Sequence, residues 1–162
     1  MNIKIYTDGA CSYNPGPGGY GVILSTVLPN GQVHESKRSG GYRRTTNNRM
    51  ELAAVIFGLM ALNNGGHDIE IISDSSYVCN AFNKGWIESW RKSNWKNRTL
   101  PNRDMWQTLN TLISMQNSVK FTWVKGHNGH PYNEECDRLA VAAAQDSIHW
   151  EIDTHYENGI GD

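Results

Sequence analysis

The chain has 162 residues, 15 Lys and Arg against 16 Asp and Glu, and 38% hydrophobic residues. That balance excludes a disordered, collagen-like or charge-driven tail protein, and no apolar run reaches the roughly 18 residues a membrane helix needs. The length suits one domain large enough to bury its own core.

The alternation of Ile3, Ile5 and Thr7 with Lys4, Tyr6 and Asp8 predicts a strand that ends at an acid. Asn14-Pro-Gly-Pro-Gly-Gly19 reads as a rigid turn, Tyr20–Leu28 as a second strand, Pro29-Asn30-Gly31 as a hairpin turn and Gln32–Tyr42 as its partner. Thr45-Thr46-Asn47-Asn48 offers several helix caps, with Glu51 three residues after Asn48 as in a capping box. That helix runs through Met60 and Leu62 until Asn63-Asn64-Gly65-Gly66 stops it. Ile69–Ser73 is a short strand leading into Asp74; helices follow near 75–84, 87–93 and 103–115, then a strand at Val119–Val124. After the loop Gly126–Pro131 a last helix covers Asn133–Gln145, and the acidic stretch beyond Ser147 reads as a loosely held tail. Strands first, then strands alternating with helices, predict an α/β domain with a mixed sheet.

Three cysteines, Cys11, Cys79 and Cys136, lack the paired spacing of a disulfide framework or a zinc site. Cys79 and Cys136 are expected to act as small buried apolar groups in a reducing compartment. The opening residues carry no basic region followed by an apolar stretch, so the expected location is the cytoplasm, with no membrane partner.

The near-zero net charge conceals an asymmetry. Residues 146–162 hold five acids and no Lys or Arg. Residues 36–50 hold Lys37, Arg38, Arg43, Arg44 and Arg49 with no acid, and residues 84–103 hold six cations against Glu88 alone. The second stretch also interleaves Trp86, Trp90 and Trp95. A single charge run is ordinarily a solvated face, and tryptophans at this spacing ordinarily pack. Taken together, two basic stretches with aromatic residues tilt the reading toward a polyanion such as a nucleic acid backbone.

The informative acids are those in unexpected places. Asp8 and Asp74 each end a strand, where α/β sheets place their sites. Glu51 falls in line with Val55, Gly58 and Leu62, and Asp137 with Ala140, Val141 and Ala144, so each lies on the apolar stripe of its helix. Acids are seldom buried without a partner or a cation. If these four converge, their repulsion calls for a divalent metal, and an all-oxygen donor set favours Mg²⁺ or Mn²⁺.

Two other patterns carry less. Gly16-Pro-Gly-Gly-Tyr-Gly21 matches G-x-G-x-x-G, but the residues that follow read as strand rather than as the helix a pyrophosphate requires, so no nucleotide cofactor is expected. His127-Asn-Gly-His130 lacks cysteine partners for zinc, and His127 fits proton handling better.

Ile5-Tyr-Thr-Asp8-Gly, Asn14-Pro-Gly-Pro-Gly-Gly-Tyr-Gly21, Thr45-Thr-Asn-Asn-Arg-Met-Glu51-Leu, Ser73-Asp74-Ser, Trp123-Val-Lys-Gly-His127-Asn-Gly-His130 and Cys136-Asp137 follow in an order that resembles type 1 ribonuclease H of the bacterial kind, from about Ile3 to Ala144. The resemblance implies a ribonuclease H-like α/β fold, a five-stranded mixed sheet flanked by helices, forming a catalytic domain over 1–146 with an acidic C-terminal tail over 147–162. It implies an endonuclease that hydrolyses the RNA strand of RNA–DNA hybrids with two metal ions, Mg²⁺ or Mn²⁺ in its place, leaving 5′-phosphate and 3′-hydroxyl ends. Asp8, Glu51, Asp74 and Asp137 would hold the metal: Asp8 bridging both ions, Asp137 on the water side, Glu51 and Asp74 on the leaving-group side. His127 would assist proton transfer or product departure.

By the same resemblance, Cys11, Asn14, Asn47 and Asn48 read the minor groove, where a 2′-hydroxyl distinguishes RNA from DNA. Arg44, Thr46 and Asn102 match a pocket for a DNA-strand phosphate. Trp86, Trp90, Arg91, Lys92, Trp95 and Lys96 match a basic protrusion that contacts the DNA strand. Ser76 stands where the family pattern has a substrate-contacting Gln, and the hairpin at Pro29 is slightly longer than the pattern. No separate hybrid-binding domain precedes Asp8, so this domain would bind its substrate alone, as a monomer. Two alternatives remain: another metal-dependent nuclease of the same fold, against which the Asn47–Glu51 run and the His127 loop speak, or a non-catalytic hybrid-binding module, which would have little reason to keep all four acids.

Overall fold

The computed structural model describes residues 2–159. The opening alternation becomes β1 (Asn2–Cys11), the middle strand of a five-stranded sheet ordered β3-β2-β1-β4-β5. β2 (Gly16–Val27) pairs antiparallel with β1 and with β3 (Val33–Thr45), while β4 (Asp68–Ser73) runs parallel to β1 and β5 (Ser118–Trp123) parallel to β4. The sheet is therefore mixed, as the sequence predicts. Side-chain alternation sorts its two faces. Ile3, Ile5, Val22, Ile69, Ile71 and Phe121 enter a large core with α1 (Asn47–Met60), α2 (Ser76–Asn83), α3 (Trp86–Lys92) and α4 (Arg103–Ser114). Tyr6, Ile23 and Ile72 point the other way and form a smaller cluster with Cys136 of α5 (Pro131–Gln145). Cys79 and Cys136 are buried free thiols, as expected, and Cys11 is half-buried.

The glycine-rich segment departs from the expected turn. The chain reverses within residues 12–15, and Gly16–Gly19 already belong to β2. The reason lies in packing. A Cβ on Gly19 would stand 2.3 Å from the Ala140 carbonyl oxygen, and one on Gly21 2.3 Å from that of Cys136. These glycines let the backbone of α5 lie directly on β2. The strand runs straight on through Val22, so no helix N-terminus follows the glycines.

Helix α1 also starts differently from the predicted capping box. Thr46 is the cap, its hydroxyl accepting the Arg49 N–H at 3.2 Å. Glu51 is thereby free to face the sheet. The helix is buried on nearly all sides, from Arg49 to Ile56 and again at Gly58 and Leu59.

The acidic tail corrects the expectation of a loosely held segment. Glu151 bridges Tyr42 of β3, with its N–H donating to the Gly41 carbonyl at 2.8 Å and its carbonyl accepting the Arg43 N–H at 3.0 Å. The Trp150 indole donates to the Ala144 carbonyl at 3.0 Å. Asp153, only 8% exposed, accepts from the Thr45 hydroxyl and the Arg49 Nε, both at 2.8 Å. A last short helix, α6 (Thr154–Glu157), sets Glu157 against Arg43. The tail's charges thus meet two cations of the first basic stretch. Asp162, counted with the tail in the sequence, lies outside the described residues.

Candidate active site

Asp8 and Asp74 meet because β1 and β4 run parallel with Thr7 opposite Ser73, so the next residue along each strand is an acid. Glu51 arrives from above on α1. The helix crosses β1 so closely that a Cβ on Gly9 would lie 2.5 Å from the Glu51 nitrogen and 2.6 Å from the Met50 carbonyl carbon. Only glycine admits that approach, and its N–H serves both acids, donating to Asp8 Oδ1 at 3.0 Å and to Glu51 Oε1 at 3.1 Å. One carboxylate oxygen each from Asp8, Glu51 and Asp74 lies within 4.8 Å of the others. Asp137, on α5, and His127, in the β5–α5 loop, line the same open cleft of about 390 Å³, together with Asn47, Asn48, Ser76 and Tyr77.

The electrostatics are those of an uncompensated acid cluster. Burial first, then the charges of Glu51 and Asp74, push the Asp8 carboxyl up to about 10. Burial and then the charge of Asp74 push Glu51 up to about 8. Glu51 Oε2 is buried without a hydrogen-bond partner. A buried acceptor left unsatisfied beside two further acids fits a cation, and the all-oxygen donor set suits a hard divalent ion.

The other predicted contact residues fall into three places. Asn14 Oδ1 accepts the Asn47 N–H at 2.9 Å, tying the β1–β2 turn to the start of α1; the thiol of Cys11, at the end of β1, points to the Thr45 carbonyl at 3.4 Å. Arg44 is exposed at the end of β3, and Asn102 is buried with its amide engaged by Arg49 and by the Tyr77 hydroxyl. On and after α3, Trp90 and Trp95 turn inward against the core, Trp90 meeting Trp106 at 5.4 Å between ring centroids. Trp86, Arg91, Lys92 and Lys96 stay exposed on that protrusion. His130 is separated from His127 in role: its ring caps α5 by accepting the Asn133 N–H at 3.3 Å.

Sequence reasoning missed the support beneath these groups. Arg49 is 3% exposed and is gripped by Asp153 (2.8 and 3.0 Å) and Asp104 (both contacts 2.9 Å). Burial alone would disfavour its charge; the hydrogen bonds it donates to both aspartates outweigh that and hold the guanidinium firmly protonated. Tyr77 is a hub, its hydroxyl accepting from Asn102 and from the Trp106 indole at 3.2 Å.

A mixed five-stranded sheet with acids at the ends of its central strands is the architecture of RNase H. The solved structure of LC9-RNase H1, a type 1 RNase H with the type 2 active-site motif, superposes with a TM-score of 0.81 at 29% identity, over 98% of this chain and 80% of that one. LC11-RNase H1, solved in complex with an RNA/DNA hybrid, shares the fold at a TM-score of 0.66 and 22% identity, over 90% of this chain and 99% of that one. The RNase H family model matches residues 1–145, and the chain belongs to that family. It is 53% identical to the ribonuclease H of Desulforamulus reducens, over 88% of this chain and 87% of the relative. It is also 46% identical to that of Rippkaea orientalis, over 96% and 93%. The chain is an enzyme of this kind, a ribonuclease H, and the family depends on a divalent metal.

Proposed function

We propose that this chain hydrolyses the RNA strand of RNA–DNA hybrids by a two-metal-ion mechanism, leaving 5′-phosphate and 3′-hydroxyl ends. The observation that carries the reading is the trio of acids within 4.8 Å, with a buried Glu51 oxygen lacking a partner. Asp8, Glu51, Asp74 and Asp137 are the residues that would hold Mg²⁺, or Mn²⁺ in its place. Two such ions would supply charge neutralisation at the scissile phosphate and at the attacking and leaving oxygens of an in-line displacement.

The rest of the chemistry belongs to the chain. The Gly9 N–H fixes the Asp8 and Glu51 carboxylates in one orientation, so no reorganisation is needed as substrate arrives. His127 is exposed on a loop with left-handed backbone (φ +54) and lines the acid cleft, where its ring would hand a proton to the departing 3′-oxygen. Asn47 and Asn48 line the acid cleft with Ser76 and present amides that can both donate to and accept from a 2′-hydroxyl, and Asn14, tied to the Asn47 N–H, would join them with Cys11. Arg44 and Thr46 with Asn102 would receive a DNA-strand phosphate. Trp86, Arg91, Lys92 and Lys96 would follow the DNA backbone, with Trp90 and Trp95 anchoring the protrusion beneath them.

Three labelled duplexes, RNA–DNA, RNA–RNA and DNA–DNA, and a labelled single-stranded RNA test this reading, each offered in Mg²⁺ buffer. Cleavage confined to the RNA strand of the hybrid is the expected outcome. Because phosphate contacts dominate such binding, affinity for the hybrid should also fall steeply with salt. Comparable cleavage of double-stranded DNA would favour a different nuclease of this fold.

A further inference from the structure

Asp74 is the acid that its own element holds least. It lies between β4 and α2, within neither. What restrains it comes from β5 and the loop beyond. Trp123, the last residue of β5 and the register partner of Ser73, donates its indole N–H to the Asp74 carbonyl oxygen at 3.0 Å. The Val124 N–H extends the ladder by donating to the Ser73 carbonyl at 2.9 Å. Gly126 then passes so near that a Cβ there would stand 2.7 Å from Asp74 Oδ2. His127 is the next residue. One short segment therefore grips the backbone of Asp74, abuts its carboxylate and carries the histidine of the same cleft.

Trp123 is 52% exposed, unlike Trp106, which is fully buried. An indole with half its surface in water is not explained by core packing, and it lies outside the set of residues lining the acid cleft. Its distinctive interaction is with the peptide that joins Asp74 to Ser75, the cap of α2. Fixing that peptide plane fixes the direction in which the Asp74 side chain leaves the backbone.

We propose that Trp123 is a positioning residue for Asp74: its indole N–H aims the carboxylate into the acid cluster and locks the His127 loop to the same point. The proposal rests on Asp74 being a metal ligand. Supporting groups of this kind commonly change metal affinity or activity by about 10–100-fold, because small displacements at a reacting centre are amplified.

The test is Trp123→Phe, which keeps a ring and removes the donor. Mg²⁺ binding to the full chain is followed by titration calorimetry, beside kcat and KM on a hybrid and the melting temperature. The expected result is a loss of about tenfold in Mg²⁺ affinity and about tenfold in kcat, with KM within about twofold and the melting temperature within about 2 °C. Equal Mg²⁺ affinity in the wild type and the variant would overturn the proposal. So would a raised KM at unchanged kcat, which would make Trp123 a substrate contact. If the wild type itself took up no Mg²⁺, the metal reading of Asp74 would fall, and the proposal with it.

Discussion

Asp8→Asn is expected to reduce hybrid cleavage by at least roughly 10³-fold, the scale of removing a group that stabilises transition-state charge, while making the metal-free protein more stable. The two effects share one cause. Asp8 is 4% exposed, faces Glu51 and Asp74, and has its carboxyl pushed up to about 10; Glu51 is pushed up to about 8. Folding without metal therefore takes up protons. The stability these acids contribute is fully present below about pH 4, the range of unfolded carboxylates, and is lost as the pH rises through about 8 to 10. An amide at position 8 can still accept the Gly9 N–H, and it carries no charge. At pH 8 the variant should gain on the order of 2 kcal/mol, the scale of an uncompensated buried group, or about 4–8 °C in a chain of this size. The gain should close near pH 4, and added Mg²⁺ should raise the melting temperature of the wild type far more than that of the variant. Thermal unfolding in EDTA at both pH values, with and without Mg²⁺, checks this. A variant less stable than the wild type at pH 8 in EDTA would contradict it.

The second large effect lies two residues from Glu51. Arg49→Met should destabilise the fold by about 3–5 kcal/mol, because it leaves Asp104 and Asp153 facing one another without their cation. Methionine fills much of the volume, so the loss measures the broken ion network more than a cavity. Replacing Asp153 by Asn in the same chain should recover part of that loss, since it removes one of the stranded charges. Urea unfolding of the two variants is the measurement. A change below about 1 kcal/mol in Arg49→Met would mean that the network is solvated like a surface pair. The network also explains how a sequence-remote segment supports the site: Asp153 holds Arg49, and Arg49 shares a helix with Glu51.

The acids were legible because they broke a pattern. Glu51 is an acid inside a helix buried on nearly all sides, Asp8 and Asp74 terminate β-branched strands, and parallel pairing of Thr7 with Ser73 turns the strand ends into neighbours. The stripe read for Asp137 holds only at Ala140 and Ala144, since Val141 is exposed. Motif resemblance added the proposed contact residues around them. What sequence did not disclose is tertiary. Gly16–Gly19 carry every local sign of a turn, but Gly18 and Gly19 pair with both β1 and β3, and Gly19 lies under the backbone of α5. Several adjacent residues could cap α1, and with Thr46 as the cap Glu51 lies past the capping-box position and faces the sheet. The tail misleads for the same reason. Its composition looks solvated, but the partners of Asp153 are 104 and 108 residues away in the chain.

What tests the proposed function at its root is whether the clustered carboxylates need a divalent metal to cut RNA paired with DNA. The most direct measurement strips the protein with EDTA, removes the chelator, and follows an end-labelled hybrid as Mg²⁺ is returned. No cleavage is expected before the metal is added, cleavage of the RNA strand alone afterwards, and products bearing 5′-phosphate and 3′-hydroxyl ends. Full-speed cleavage by the metal-free protein, or a hybrid that is bound yet left whole in both Mg²⁺ and Mn²⁺, would contradict it.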